Sequence, residues 1–106
     1  MKTELYYFDG CPFYQQALDN LKEALRLEGL PEDVAMIRVE SVKDAQAKRF
    51  LGSPSIRLNG VDLEGTGAEQ RGYAFGCRLY LENGAQAGWP SVQRIHQALH
   101  ALPRKP

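Results

Sequence analysis

The pattern of apolar and polar positions predicts a strand followed by a helix in the first 30 residues. Residues 5–8 are apolar or aromatic at every position, as in a short strand buried on both faces. From Tyr14 onward the apolar residues follow the 3.6-residue period of a helix: Ala17, Leu18, Leu21, Ala24 and Leu25. Gly29 is the predicted C-cap of this helix, and Pro31 prevents its continuation.

The middle of the chain predicts a second strand, a short helix and a hairpin. Residues 34–39 alternate loosely between apolar and polar positions, which favours a strand. Ser41 with an acidic first turn is typical of an N-cap, and its helix is expected to run through Phe50. Asn59-Gly60 predicts a type I′ turn between alternating flanks, so residues 56–63 carry the clearest hairpin signal in the sequence.

The last third of the chain combines an irregular stretch with a closing helix. The glycine-rich residues 65–76 show no periodicity and predict a loop, and residues 77–81 could add a strand that ends at Asn83-Gly84. Ser91 is the predicted N-cap of the closing helix. Its apolar residues step by three and four: Val92, Ile95, Leu99 and Leu102.

The element order predicts an α/β fold. It reads β-α-β-α-β-β, then an irregular or strand-containing insertion, then a helix. The initial strand-helix-strand unit requires a parallel pair and the hairpin adds antiparallel strands, so the central sheet should be mixed. The 106 residues are enough for one domain and too few for two, which predicts a single domain over residues 1–106.

Composition and charge narrow the classes of function. Lys plus Arg balances Asp plus Glu at 13 each, and no basic cluster is present, which argues against a nucleic-acid binder. No apolar run approaches the ~20 residues that span a bilayer, and the N-terminus does not read as a signal peptide. Two cysteines do not make a secreted disulfide framework, so we expect a cytoplasmic protein with free thiols.

Cys11 lies between the first strand and the first helix. With Cys11 as the helix N-cap and Pro12 at the first helical position, the sulfur would face the free N–H groups of the first turn. That position favours the thiolate and predicts an exposed, reactive thiol. Asp9 acts in the opposite direction if its carboxylate points toward the sulfur. The alternative is that Cys11 is a small buried hydrophobic residue.

Two segments carry a resemblance to a known family. Residues 10–13, Gly-Cys-Pro-Phe, resemble the active-site turn of thioredoxin-like proteins and of glutaredoxins in particular. Residues 52–55, Gly-Ser-Pro-Ser, match the place where that superfamily carries a cis-proline. The resemblance implies a three-layer thioredoxin-like fold, a cis Ser53-Pro54 bond and Cys11 as nucleophile. It also implies a substrate site formed by Pro12, Phe13, Tyr14, Ser53 and Pro54, in which the backbone of Ser53 docks an extended thiol substrate.

The chain is also similar over most of its length to a group of small bacterial thioredoxin-like proteins. Residues 50–63 and 77–80 carry this likeness. Some members of the group are described as relatives of the organomercurial lyases. Carbon–mercury cleavage would need more cysteines than this chain has and a suitably placed acid.

Tyr14 stands where dithiol members of the superfamily carry a second cysteine, so the usual disulfide cycle is not available. Three routes remain open. A second glutathione could resolve a mixed disulfide on Cys11, Cys77 could act as a distant resolving thiol, or the chain could have lost the redox role. Residues 64–69 lack the glycine pair and the helix cap with which glutaredoxins hold glutathione. Glutathione is therefore a possible co-substrate, and no bound cofactor is predicted.

Cys77 and the two histidines are secondary candidates. Cys77 is expected as a buried strand residue, although neighbouring Arg78 would favour its thiolate. Two thiolates alone do not complete a zinc site. His96 and His100 lie one helical turn apart, without an acidic partner in register, and are expected as a solvated surface pair. No metal site is predicted.

Two hypotheses of different classes follow. The first is a monothiol, glutaredoxin-like thiol–disulfide oxidoreductase that uses Cys11 on a small thiol or a protein disulfide. The second is a non-enzymatic thioredoxin-like module that binds a partner protein, a small thiol or a soft metal at the same groove. The Cys-Pro turn favours the first hypothesis, and the missing second cysteine favours the second.

Overall fold

The computed structural model describes residues 2–65, 67–68, 72–73 and 75–102. Over these residues the chain forms six strands and three helices. They are β1 (Thr3–Tyr7), α1 (Tyr14–Leu27), β2 (Ala35–Arg38), α2 (Val42–Ala47), β3 (Ser55–Leu58), β4 (Val61–Asp62), β5 (Tyr80–Glu82), β6 (Ala85–Ala87) and α3 (Val92–Ala101). The predicted order is confirmed up to β4, and the insertion before α3 contains a second hairpin.

The central sheet has four strands in the order β2-β1-β3-β4. β1 pairs parallel with β2, with Leu5 opposite Met36, and antiparallel with β3, with Leu5 opposite Ile56. β4 pairs antiparallel with β3. The prediction of an α/β fold with a mixed sheet is therefore confirmed.

Helices cover both faces of the sheet. Neighbouring residues of a strand point to opposite faces, so each strand contributes side chains to two cores. Leu5 packs into the larger core with apolar residues of α1, β3 and α3. Tyr6 belongs to a smaller core with Val39, Ala45 of α2 and Phe50. The fold is thus three-layered, with α1 and α3 on one face of the sheet and α2 on the other.

A local capping signal predicts the C-terminal end of α1 correctly, whereas the predicted end of α2 is wrong. After α1, Gly29 adopts φ +72°, and the N–H groups of Gly29 and Leu30 donate to the carbonyls of Arg26 and Leu25. The helix α2 ends at Ala47, three residues before the predicted end.

The early end of α2 has a visible cause. Arg49 adopts a positive φ of 57°, which ends the helical conformation. The guanidinium of Arg57 on β3 donates to the carbonyls of Lys48 and Arg49, at 2.8 and 2.7 Å, and so takes up helix-end acceptors. Phe50 is then free to turn into the smaller core.

Two Asn-Gly turns close two hairpins. Asn59 and Gly60 have positive φ angles of 54° and 83°, which confirms the turn predicted between β3 and β4. Asn83 and Gly84, at 52° and 80°, connect β5 to β6, so they join two strands instead of ending one as predicted. The sequence does not predict β6, because its residues, Ala-Gln-Ala, include no large apolar side chain. No helix in the described part of the chain is long and apolar enough to span a membrane.

Candidate functional site

Cys11 lies in the turn that leads from β1 to α1. Its N–H donates to the carbonyl of Phe8 at 3.0 Å. The N-cap of α1 is Phe13, without a capping side-chain bond, and the helix begins at Tyr14. The prediction that Cys11 is the N-cap is therefore wrong, because the Pro12-Phe13 pair forms a turn before the helix starts. The charge effect of a helix end fades within a turn, so it supports the thiolate less than expected.

The side chain of Cys11 is buried, with 3% of its surface exposed, so the prediction of an exposed thiol is wrong. The chain between residues 75 and 89 covers the turn on both sides of this cysteine. Phe75 packs against Phe8 with ring centroids 5.1 Å apart, and Trp89 packs against Phe13 at 5.3 Å. These two aromatic pairs fasten the insertion over the turn.

The Ser53-Pro54 peptide bond is cis, as the resemblance predicts. The backbone of Ser53, expected as the docking edge for a substrate, is already bonded to the chain itself. Its N–H donates to the carbonyl of Gly76 at 2.8 Å, and its carbonyl accepts from the N–H of Arg78 at 2.9 Å. These bonds form a parallel bridge that pairs Ser53 with Cys77.

Cys77 is an exposed free thiol, so the prediction that it is buried is wrong. The bridge holds Cys77 beside the cis-proline, and the aromatic pairs of the same segment close over the turn that carries Cys11. Partial removal of water from its sulfur, followed by the charge and the hydrogen bond of Cys11, raises the pKa of Cys77. The structure thus brings together two thiols that are 66 positions apart in the sequence.

Arg78 points away from the neighbouring thiol, as adjacent residues of an extended segment do. It is 4% exposed and turned toward the hairpin of β3 and β4. Its two terminal nitrogens each donate to a carboxylate oxygen of Asp62 at 2.7 Å, and one of them also donates to Glu64 at 2.7 Å. A further bond reaches the hydroxyl of Ser55 at 3.1 Å. Burial opposes the charge of Arg78, but these partners outweigh it and raise its pKa.

Two other residues hold the same segment against the cis-proline. The hydroxyl of buried Tyr80 donates to the carbonyl of Pro54 at 2.6 Å, and the guanidinium of Arg78 lies 4.7 Å from the Tyr80 ring. Gly52 leaves room for Arg78, because a Cβ at position 52 would lie 2.9 Å from the Cβ of Arg78. Asp62, Glu64, Tyr80 and Gly52 were not predicted. The signal available in the sequence was alternation along this segment. Arg78 and Tyr80 point inward, whereas Cys77 and Leu79 point outward.

Tyr14 and Asp9 have partners that define their roles. Tyr14 stacks on Tyr7 with ring centroids 4.5 Å apart, so it helps pack α1 against β1. The carboxylate of Asp9 pairs with Arg38 at 2.9 Å. This pairing reduces the repulsion that Asp9 was expected to exert on a thiolate at Cys11.

His96 and His100 are not a purely solvated pair. Both rings lie 3.3 Å from the carboxylate of Glu28, a side chain with only 10% of its surface exposed. Glu28 follows α1 directly, so it is a long-range partner that α3 alone does not reveal. No group of metal-ligating residues was found in the described part of the chain.

Comparisons with known proteins found no match, whether to protein-family models, to curated proteins or to solved structures. The chemistry of the site therefore rests on its own geometry. That geometry places a buried thiol, an exposed thiol and a cis-proline together, with a buried ion-pair cluster beside them.

Proposed function

We propose that this chain is a thioredoxin-like thiol–disulfide oxidoreductase whose two reacting thiols are Cys11 and Cys77. The observation that carries the proposal is the Ser53–Cys77 bridge, which holds Cys77 beside the cis-proline while the aromatic pairs of the same segment close over the turn of Cys11. The thioredoxin-like assignment is supported by the mixed sheet order β2-β1-β3-β4 and by helices on both faces. A cysteine after β1 and a cis-proline before β3 add to that support.

Cys77 takes the place of the second cysteine that is absent at Tyr14. In the reduced protein both sulfurs are thiols. In one turnover the protein gives two electrons and two protons to a substrate disulfide, which leaves as two thiols. The protein retains a Cys11–Cys77 disulfide, and two equivalents of an external thiol such as glutathione return it to the reduced form as one glutathione disulfide. This cycle needs no bound cofactor and suits a reducing compartment such as the cytoplasm.

The test is oxidation of the whole chain in glutathione redox buffers. We expect a monomeric product that has lost two hydrogen atoms by intact mass, with Cys11 and Cys77 joined in the peptide map. The same protein should catalyse glutathione-dependent reduction of a small mixed disulfide, and Cys77→Ser should abolish the intramolecular product. A wild-type chain that forms no such disulfide and shows no turnover would refute the proposal.

The second candidate is a non-catalytic binding module. One observation favours it: Cys11 is buried and the backbone of Ser53 is already bonded to residues 76–78, which restricts access to the usual groove. In that case the Cys77 segment acts as a permanent structural cover. The redox titration separates the two candidates, because a permanent cover predicts that no Cys11–Cys77 disulfide forms in the folded state.

A further inference from the structure

The two thiols of the site differ in the access that they offer to another molecule. Cys11 is 3% exposed, whereas Cys77 is exposed. The aromatic pairs Phe8–Phe75 and Phe13–Trp89 lie on either side of Cys11 and tie the covering segment to its turn. A disulfide from outside therefore meets the sulfur of Cys77 first.

The surface around Cys77 is apolar. Phe75, Leu79 and Leu81 are 37%, 56% and 65% exposed, and they share the outward positions of the same segment with Cys77. The intervening Arg78 and Tyr80 point inward and hold the segment in place. An incoming substrate can thus approach Cys77 without displacing the backbone bonds at Ser53.

Ser53 supplies an additional polar group beside Cys77. Its hydroxyl is fully buried and has no hydrogen-bond partner among the described residues. Directly paired residues of two adjacent strands place their side chains on the same face, so Ser53 and Cys77 share a face of the bridge. A buried hydroxyl with an unused donor is available there to a sulfur that becomes charged during exchange.

We propose that Cys77 is the sulfur that exchanges with substrates, and that Cys11 closes the disulfide from the inside. This inference rests on the proposed function and reverses the roles that the sequence predicts for the two cysteines. The substrate class is a disulfide carried on a small thiol or on an exposed protein segment.

The step balances as two successive exchanges. The thiolate of Cys77 attacks a substrate disulfide, forms a Cys77–substrate mixed disulfide and expels the first substrate thiolate, which takes up a proton. The thiolate of Cys11 then attacks the sulfur of Cys77, forms the Cys11–Cys77 bond and expels the second substrate thiolate. Each exchange forms one S–S bond and breaks one, and the protein is oxidised by two electrons in total.

The reverse direction supports the same assignment. An external thiolate reduces the disulfide by attack on the exposed sulfur of Cys77, and Cys11 leaves as the thiolate. Access fixes this direction, because Cys77 is exposed whereas Cys11 is 3% exposed.

The test uses oxidised glutathione as the probe and the two single cysteine variants in the full chain. In Cys11→Ser, we expect a stable glutathione adduct on Cys77. In Cys77→Ser, the buried Cys11 should form its adduct at least about tenfold more slowly, a difference of ~1.4 kcal/mol in the barrier. Intact mass at timed quenches measures both rates. Cys11→Ala provides a second variant in case serine is not tolerated in the buried position, and circular dichroism checks the fold of all three.

The outcomes separate this inference from the proposed function. Equal rates, a faster adduct on Cys11 or no adduct on Cys77 would overturn the inference, even where the wild type forms the intramolecular disulfide. A wild type without that disulfide would refute the proposed function, whichever cysteine binds glutathione. A fast adduct on Cys77 together with a wild-type disulfide supports both.

Discussion

The two halves of the thiol site are held by different kinds of interaction. The turn that carries Cys11 is positioned locally: its N–H bonds to Phe8 three residues earlier, and α1 begins three residues later. The segment that carries Cys77 is positioned by distant partners. Arg78 bonds to Asp62 and Glu64 on the β3–β4 hairpin, 16 and 14 positions away, and Tyr80 bonds to Pro54, 26 positions away.

This difference has a consequence for stability and for chemistry. A local turn forms with its adjoining strand and helix, and it costs little additional ordering. An extended segment loses backbone entropy of about 1–2 kcal/mol for each ordered residue, so it needs strong contacts to stay in place. The buried Arg78 cluster, the Tyr80 hydrogen bond and the bridge to Ser53 provide them. Disturbing these contacts should therefore release Cys77 before it disturbs Cys11.

The largest effect is expected from Arg78→Met. Methionine keeps much of the buried apolar volume but leaves the carboxylate of Asp62, which is 6% exposed, without its cation. Breaking a buried pair in this way costs about 3–5 kcal/mol of unfolding free energy. We also expect the Cys11–Cys77 disulfide to form much more slowly. Urea unfolding and the rate of disulfide formation in glutathione buffer measure the two effects.

Arg26→Met is the matched control. Arg26 also bonds to two carboxylates, Glu23 and Glu32, but it lies on the surface with 60% of its side chain exposed. Surface ion pairs contribute little to stability, so this variant should unfold like the wild type. Adding Asp62→Asn to Arg78→Met should recover part of the loss, because the unpaired charge is removed. Similar unfolding curves for the two arginine variants would contradict the buried-cluster account.

The next effect is expected at Gly52. Its φ of +108° strains any residue with a side chain, and an added Cβ would press on the Cβ of Arg78 at 2.9 Å. Gly29→Ala is the control, because Gly29 also has a positive φ of 72° but has nothing within 4 Å of an added Cβ. We expect Gly52→Ala to cost about 1–3 kcal/mol more than Gly29→Ala in urea unfolding, because the crowding adds to the backbone strain. Equal losses would show that the segment yields without penalty.

The same contrast explains how much could be predicted from the sequence. The period of α1, the cap at Ser91 and the Asn59-Gly60 turn are local signals, and the structure confirms each of them. The order of elements was then enough to predict a mixed sheet, because a strand-helix-strand unit requires a parallel pair. The sequence also singled out both cysteines and the cis-proline.

The arrangement of the two thiols could not be predicted in the same way. Arg78 is a residue type that is almost never fully buried unless paired, and nothing local reveals that Asp62 and Glu64 will pair with it. Cys77 was judged as one residue of a regular strand, but its segment meets Ser53 in a single bridge and only then forms β5. Burial of Cys11 depends on that segment, so its exposure was also predicted wrongly.

A smaller effect is expected from Tyr80→Phe, which removes only the hydroxyl that bonds to Pro54. The loss of a buried hydrogen bond should cost about 1–2 kcal/mol and leave the ring in place beneath Arg78. The control is Tyr73→Phe, since the hydroxyl of Tyr73 bonds to Arg49 on the exposed surface. Urea unfolding compares the two. A loss at Tyr73 as large as the one at Tyr80 would argue that the Pro54 contact does not fasten the segment.

The smallest effect is expected in the titration of Cys77. In the wild type, loss of water around the sulfur and the adjacent Cys11 raise the pKa of Cys77 above the ordinary value of a free thiol. In Cys11→Ser the charge of Cys11 is gone while the loss of water remains, so the pKa should fall part of the way back. Because the thiolate is the reacting form, alkylation of Cys77 at pH 8 should become faster.

The measurement is the rate of iodoacetamide labelling at Cys77 from pH 6 to pH 10, followed by peptide mapping. Cys11→Ser should shift the midpoint to lower pH, and Ser41→Ala, which alters the N-cap of α2, should leave it unchanged. A midpoint that does not move when Cys11 is replaced would mean that the two sulfurs act independently. Such a result would indicate that the segment covers Cys11 without reacting with it.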